Sequence, residues 1–230
     1  MLAFNPVVVV GLGGIGSHLA EPLARFLSCQ VQPPTLVLID GDAYTRSNQS
    51  RQRADDSELG MNKAAVQVAR LTAQFPSLTI TSREVFLDER NVHSCVVEKS
   101  CVFACVDNHA SRKLLSDTVL RLRNGVLFSG GNDLVDGNVQ VFQRRNGRSL
   151  SPPLDKYHEE IRNPQDMNPA QMSCEALARQ PESAQILMAN LSAAALLLNA
   201  FYTLTRDEQL SYAEVYFDIT KNAANPRPRS

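Results

Sequence analysis

The run Gly11-Leu12-Gly13-Gly14-Ile15-Gly16 is the first pattern in the chain that could do chemistry. Gly11, Gly13 and Gly16 match the spacing G-x-G-x-x-G, and Gly14 adds a further residue without a side chain. Glycine lets a backbone turn sharply and approach a diphosphate. The helix that follows such a loop presents free N–H groups and the positive end of its dipole. Asp40 stands at about the offset where an acidic residue accepts hydrogen bonds from ribose hydroxyls. Together these residues point to a bound nucleotide and leave its kind open. An NAD-dependent oxidoreductase fits them, and a tight turn that needs small residues accounts for the glycines alone.

Such a loop has to be held between a strand and a helix, and the flanking residues provide both. Residues 7–10 read as a first strand and residues 15–27 as the helix after it. Residues 36–40 form a second apolar run ending in Asp40. Residues 62–74 read as a helix with Ala65, Val68, Ala69 and Leu71 on one face. Further strands are expected at 78–81, 101–106 and 126–128, with a helix at 110–123 before the last of these. Continuous apolar strands alternating with helices require a sheet covered on both faces. Residues 137–144 alternate, with Val139 and Val141 in register, as a half-exposed antiparallel strand would. A helix at about 183–203 and a strand at 214–219 follow. The expectation is an α/β, Rossmann-like fold: a largely parallel central sheet with helices on both faces and a C-terminal antiparallel extension. It forms a single domain over residues 1–230, with a long loop at about 145–172 and a flexible tail at about 221–230.

Downstream of the loop the chain reads Asp40-Gly41-Asp42, Ser47-Asn48-Gln49-Ser50-Arg51-Gln52, Gly60-Met61-Asn62-Lys63-Ala64 and Asp107-Asn108. In this order and spacing, over roughly residues 7–220, the sequence resembles the ThiF/MoeB/HesA family, which includes the adenylation domains of ubiquitin-activating enzymes. The resemblance implies ATP and Mg²⁺ as cofactors. Asp40 would hold the ribose, with Asp42 facing the same site. Asn48 and Arg51 would hold the triphosphate, Lys63 the phosphates and Asp107 the metal. The residue types suit those roles. Moving AMP onto a carboxylate brings two anions together while pyrophosphate departs, so cations must surround the phosphates. Arg51 offers a planar fork of donors, Lys63 a point charge, and Asp107 a hard oxygen ligand. Arg51 and Lys63 could equally be solvated surface charges, and Asp107-Asn108 could cap a helix. Arg46 and Arg53 read as surface residues.

Cys174 lies where the resemblance puts a cysteine able to receive the activated carboxyl group as a sulfur-linked adduct, and an ordinary packing cysteine is the alternative. Cys101 and Cys105 share a strand face and read as core. Cys29 and Cys95 have no partner motif. The two Cys-x-x-Cys pairs that hold structural zinc in many members are absent, so no zinc is expected. The implied substrate is a small ubiquitin-like, β-grasp protein lying along the exposed sheet and under the 145–171 segment, with a conjugating enzyme as a further partner. Alternatives are a peptide or tRNA-linked carboxylate, or a nucleotide-binding scaffold that has lost turnover. The chain starts almost at its first strand, so the N-terminal helix from which MoeB-like dimers lend an arginine is not expected, nor is a rhodanese-like domain. The family and the apolar run at 193–198 both imply a homodimer.

Composition limits the remaining classes. With 43% hydrophobic residues and a net charge of -1 from 23 basic and 24 acidic residues, the chain has no electrostatic footprint for nucleic acid. No basic leader precedes residues 7–10, and no stretch reads as a membrane span. Five irregularly spaced cysteines fit a reduced, cytoplasmic protein better than a disulfide framework.

Overall fold

The structure is a computed structural model that describes residues 4–172 and 186–228. β1 (Val7–Val10) is four consecutive valines, all buried. Val7 and Val9 face one core, Val8 and Val10 the other. A strand apolar on both sides belongs in the middle of a sheet. β2 (Leu36–Ile39) and β4 (Cys101–Ala104) pair with β1 in parallel on its two edges. β3 (Ile80–Arg83) and β5 (Gly125–Asn132) extend the parallel set outward. β6 (Asp136–Arg145) then returns as a hairpin, and β8 (Tyr212–Asp218) and β9 (Ala223–Pro228) continue antiparallel. The order is β3-β2-β1-β4-β5-β6-β8-β9, with the short β7 (Arg148–Ser149) pairing β6.

Helices cover both faces. α1 (Gly14–Ser28), α2 (Lys63–Gln74) and α6 (Leu187–Asp207) close the core around Val9, Phe103 and Phe128. α3 (Val92–Cys95), α4 (His109–Arg121) and α5 (Glu159–Arg162) close the one around Val8, Val102 and Leu127. The architecture is the expected α/β, Rossmann-like one, with a parallel core and a C-terminal antiparallel extension.

Several local expectations need correction. Of the face expected in α2, Ala69 is exposed and Ala65 and Val68 are only partly buried, while Lys63, Ala64, Val66, Gln67 and Leu71 are buried. The helix is rotated because Gln67 donates to the buried hydroxyl of Tyr44 at 2.9 Å. β6 is buried on both sides from Val139 to Gln143 rather than half-exposed, since α6 covers one face and the 150–162 segment the other. Residues 221–230, expected to be loose, contain β9, whose register against β8 runs from Tyr212↔Pro228 to Asp218↔Ala223. α6 has 21 residues and a mean hydropathy of 1.5, long and apolar enough by composition to cross a membrane. Core packing accounts for much of that apolarity, because Ala193, Leu197 and Phe201 pack against the sheet.

The long connection after β7 is a strap rather than open loop. Leu154 N–H donates to Ser116 Oγ at 3.2 Å, and Asn168 Nδ2 to the Leu87 carbonyl at 2.8 Å. His158 pins the strap to the sheet, bonding Glu160 Oε1 at 2.7 Å through Nδ1 and Glu214 Oε1 through Nε2. The Glu214 and Glu160 carboxylates raise the imidazole pKa against the opposing effect of burial, and bonding to His158 helps hold Glu214 below its ordinary range. The pin therefore has its own pH window. His158 contributes in full below its ordinary value of 6.5 and loses the contribution as pH climbs through its raised value. Glu214 contributes above 4.5 and loses the contribution as pH falls through its lowered one. We expect His158→Gln to destabilise the chain more at about pH 5.5 than at about pH 8.5 in urea unfolding. An equal loss at both would show that the pin is not ionic.

Candidate functional site

At the end of β1 the chain turns through Gly11, whose φ of +86° lies in the left-handed region open to glycine. Gly13 is the N-cap of α1 and provides no side-chain acceptor, so the first-turn N–H groups of that helix are left for another partner. Gly16 has a different role from its neighbours. It does not line the cleft, and a Cβ there would lie 1.9 Å from the Gly11 carbonyl oxygen, so glycine is needed for the turn to close.

Asp40, just beyond β2, is buried and bridges two segments. Its Oδ2 accepts the Leu12 N–H at 2.6 Å and its Oδ1 the Asp42 N–H at 2.8 Å. Burial raises its pKa, and the nearby Lys63 charge and the two backbone donors pull it back. Two of roughly four lone-pair positions are used by the backbone, which leaves acceptor capacity toward the cleft. Lys63 opens α2 with its N–H on the Asp42 carbonyl at 2.9 Å and its Nζ 3.2 Å from the Asp42 carboxylate. Asn62 caps that helix through Ala64 and Ala65 N–H and donates to the Asp40 carbonyl at 2.9 Å. Asn48 is buried in the turn Arg46–Ser50, where its Oδ1 accepts the Thr45 N–H at 3.1 Å. The backbone carbonyl of Arg51 bonds His18 Nε2 at 2.9 Å.

These residues border one cleft of about 1180 Å³ at the carboxyl ends of the parallel strands. Gly11, Gly13 and Gly14 line it together with Asp40 and Asp42. Asn48, Arg51, Lys63 and Asp107 complete that wall. Asp107 is exposed, and Asn108 caps α4 through the Ser111 N–H at 2.8 Å. Arg46 and Arg53 are exposed and outside the lining. Cys174 lies outside the described residues. Cys101 and Cys105 are core thiols, with burial pushing Cys105 up to about 12.

Sequence reasoning missed the far wall. Asp166, from the strap, accepts the His109 and Ala110 N–H groups at 2.6 and 2.9 Å, a contact spanning more than fifty residues that no local pattern announces. Asn138 of β6 and Tyr216 of β8 line the other end. Gln52, on the near wall beside Gly13, was also missed; it is buried with its Oε1 unpaired among the described residues. Arg112 is buried in the first turn of α4. One signal was available for it: a cation near a helix N-terminus opposes the dipole and needs a reason to be there.

A parallel sheet with a glycine turn and helix N-terminus at its carboxyl edge, facing Arg51 and Lys63, defines a nucleotide-binding α/β protein. The model of the ThiF family matches residues 2–219, and the chain belongs to that family. It is 35% identical over 144 residues to the adenylyltransferase and sulfurtransferase MOCS3 of Drosophila yakuba, covering 62% of this chain and 30% of that protein. Over 142 residues it is 30% identical to the molybdopterin-synthase adenylyltransferase of Escherichia coli strain K12, covering 61% and 55%. The matched region is thus about a third to a half of each relative. Escherichia coli MccB, solved with ATP, aligns with a TM-score of 0.72 at 16% identity, covering 100% of this chain and 65% of that one, a likeness of fold.

Proposed function

We propose that the chain uses ATP to adenylate the C-terminal glycine carboxylate of a small ubiquitin-like, β-grasp protein. One observation carries this reading: a single cleft joins a glycine turn at a helix N-terminus, Arg51, Lys63 and the Asp107 carboxylate to the strand face bearing Asn138 and Tyr216. Membership of the ThiF family supports it over the oxidoreductase alternative. The residues suit Mg-ATP. The uncapped α1 N-terminus with Gly11, Gly13 and Gly14 offers donors to phosphate, and Asp40 keeps acceptor capacity for a ribose. Lys63, partnered by the half-exposed Asp42 carboxylate, and Arg51, beside Asn48, border the same space as donors to the triphosphate. Asp107, on the loop after β4, would hold Mg²⁺. ATP supplies the adenylyl group, and the metal offsets phosphate charge.

The substrate's tail would cross Asn138 and Tyr216 between the hairpin and the strap, which places its terminal carboxylate toward Asp107. Cys174 would then accept the activated acyl group, its sulfur displacing AMP to leave a thioester. The acyl adenylate is the shared precursor of sulfur transfer and of passage to a conjugating enzyme, and a sulfur-linked adduct on Cys174 is the alternative to the thioester. A homodimer would form through α6, whose outer face carries Met188, Leu191, Ala195, Leu198 and Tyr202 at alternating spacings of three and four. Met188, Leu191 and Tyr202 are exposed there as a continuous apolar stripe.

Three outcomes test this reading. ATP–pyrophosphate exchange should depend on a β-grasp partner ending in Gly-Gly, and Asp107→Ala should lower it by about 100-fold or more. Exchange that survives the substitution would remove Asp107 from the metal site, and no exchange with any carboxylate would favour a scaffold. Cys174→Ala should leave exchange within about twofold while abolishing the thioester seen on non-reducing gels. A thioester that persists in this variant would exclude the cysteine. In sedimentation, the wild-type chain should be a dimer at about 50 µM and Leu191→Asp a monomer. A monomeric wild type would overturn the α6 interface.

A further inference from the structure

Beyond the glycine turn, the cleft is bordered by a buried guanidinium that has no ion-pair partner among the described residues. Arg112 is 8% exposed and borders the cleft between the β4–α4 turn and the end of β5. Its Nη2 donates to the Val106 carbonyl at 3.0 Å and the Gly130 carbonyl at 3.2 Å. The plane lies against Gly131, where a Cβ would come within 2.5 Å of Nη2 and 2.6 Å of Nη1, so a side chain at 131 would evict it. Nε is buried without a partner. Among the described residues, no carboxylate forms an ion pair with this side chain. Asp107, Asp166 and Glu160 act on it only at longer range, and burial still lowers its pKa.

A cation held out of water with carboxylates only at longer range is costly, and the positive end of α4 adds to the cost. Asp166 already occupies the helix N–H groups and does not pair with the guanidinium. Its place on the cleft wall and its unpartnered Nε make this guanidinium a candidate to meet an anion that enters the cleft. Two anions reach this cleft under the adenylation reading, a nucleotide phosphate and a substrate carboxylate. Arg51 and Lys63 stand on the β2 side, with the glycine turn. Arg112 stands on the β5 side, where the strand face bearing Asn138 and Tyr216 leads in from solvent. The phosphates have the cations of the β2 side, so the carboxylate is the anion left for Arg112, which can bind it through charge-assisted hydrogen bonds.

We propose that Arg112 receives the terminal carboxylate of the acyl substrate. Binding at one oxygen fixes the group and leaves the other oxygen to face the nucleotide. The inference rests on the adenylation reading and adds the residue that makes the site choose free acids over amides and esters.

The test uses the whole chain with N-acetylglycylglycine and its C-terminal amide as probes, without nucleotide. Calorimetry should show the acid binding about tenfold or more tightly than the amide, and the Arg112 Nε–H resonance should shift with the acid alone. Arg112→Gln should weaken the acid by roughly thirtyfold or more and leave ATP affinity within about twofold. Arg112→Lys, which keeps the charge, should retain part of the preference. Wild-type affinities that do not distinguish acid from amide overturn the proposal, and this arm stands even if the glutamine variant fails to fold. A loss of ATP affinity in Arg112→Gln with acid binding intact also overturns it, assigning the guanidinium to phosphate. Absence of ATP binding by the wild type would overturn the adenylation reading alone, since the acid–amide comparison needs no nucleotide.

Discussion

The geometry of the site depends on the buried carboxylate of Asp40. It accepts one N–H from the glycine turn and one from its own strand end, which ties the β1 and β2 termini into a single rim. A charge in that position is disfavoured by burial, so it holds only because backbone donors and Lys63 surround it. The same stretch sets the start of α2, since Asn62 donates to the Asp40 carbonyl and the Lys63 N–H to the Asp42 carbonyl. One carboxylate therefore helps fix the glycine turn, and its own and a neighbouring carbonyl fix the start of the helix that carries the lysine.

The cleft divides its charges by side. Arg51 and Lys63 stand with the glycine turn, while Asp133, Asp136 and Asp218 border the far side, and Asp107, Glu160 and Asp166 act on Arg112 at longer range. A chain with a net charge of -1 thus builds a strongly structured local field from an unremarkable total. Long-range pairing sets this pattern. Asp218 lies opposite Asp136 because β6 and β8 are in register, and Asp166 reaches α4 because the strap returns across the sheet.

Function and fold meet in the antiparallel extension. A parallel sheet with a glycine turn would serve many nucleotide enzymes. The hairpin of β5 and β6 and the added β8 and β9 extend the wall of the crevice at the strand ends with Asn132, Asn138, Tyr216 and Asn225. The His158 pin keeps the strap on the wall of that crevice, close enough for Glu160, Asp166 and Asn168 to border the cleft.

Much of the parallel core was legible because its signals are local. Four consecutive valines require burial on both faces, a glycine turn requires a strand before it and a helix after it, and an asparagine at residue 62 or 108 marks a helix start. The sequence by itself determined the Rossmann-like order and the family resemblance, with Gly11, Asp40, Arg51, Lys63 and Asp107 as site candidates. Tertiary structure decided the orientation of α2, the strand made from the expected tail and the separate role of Gly16 in closing the turn. It also decided that Arg112, which no motif singled out, is buried with no ion-pair partner among the described residues. The physical reason is common to these cases: burial and charge pairing depend on which distant segments meet, and local periodicity and motif spacing do not encode that meeting.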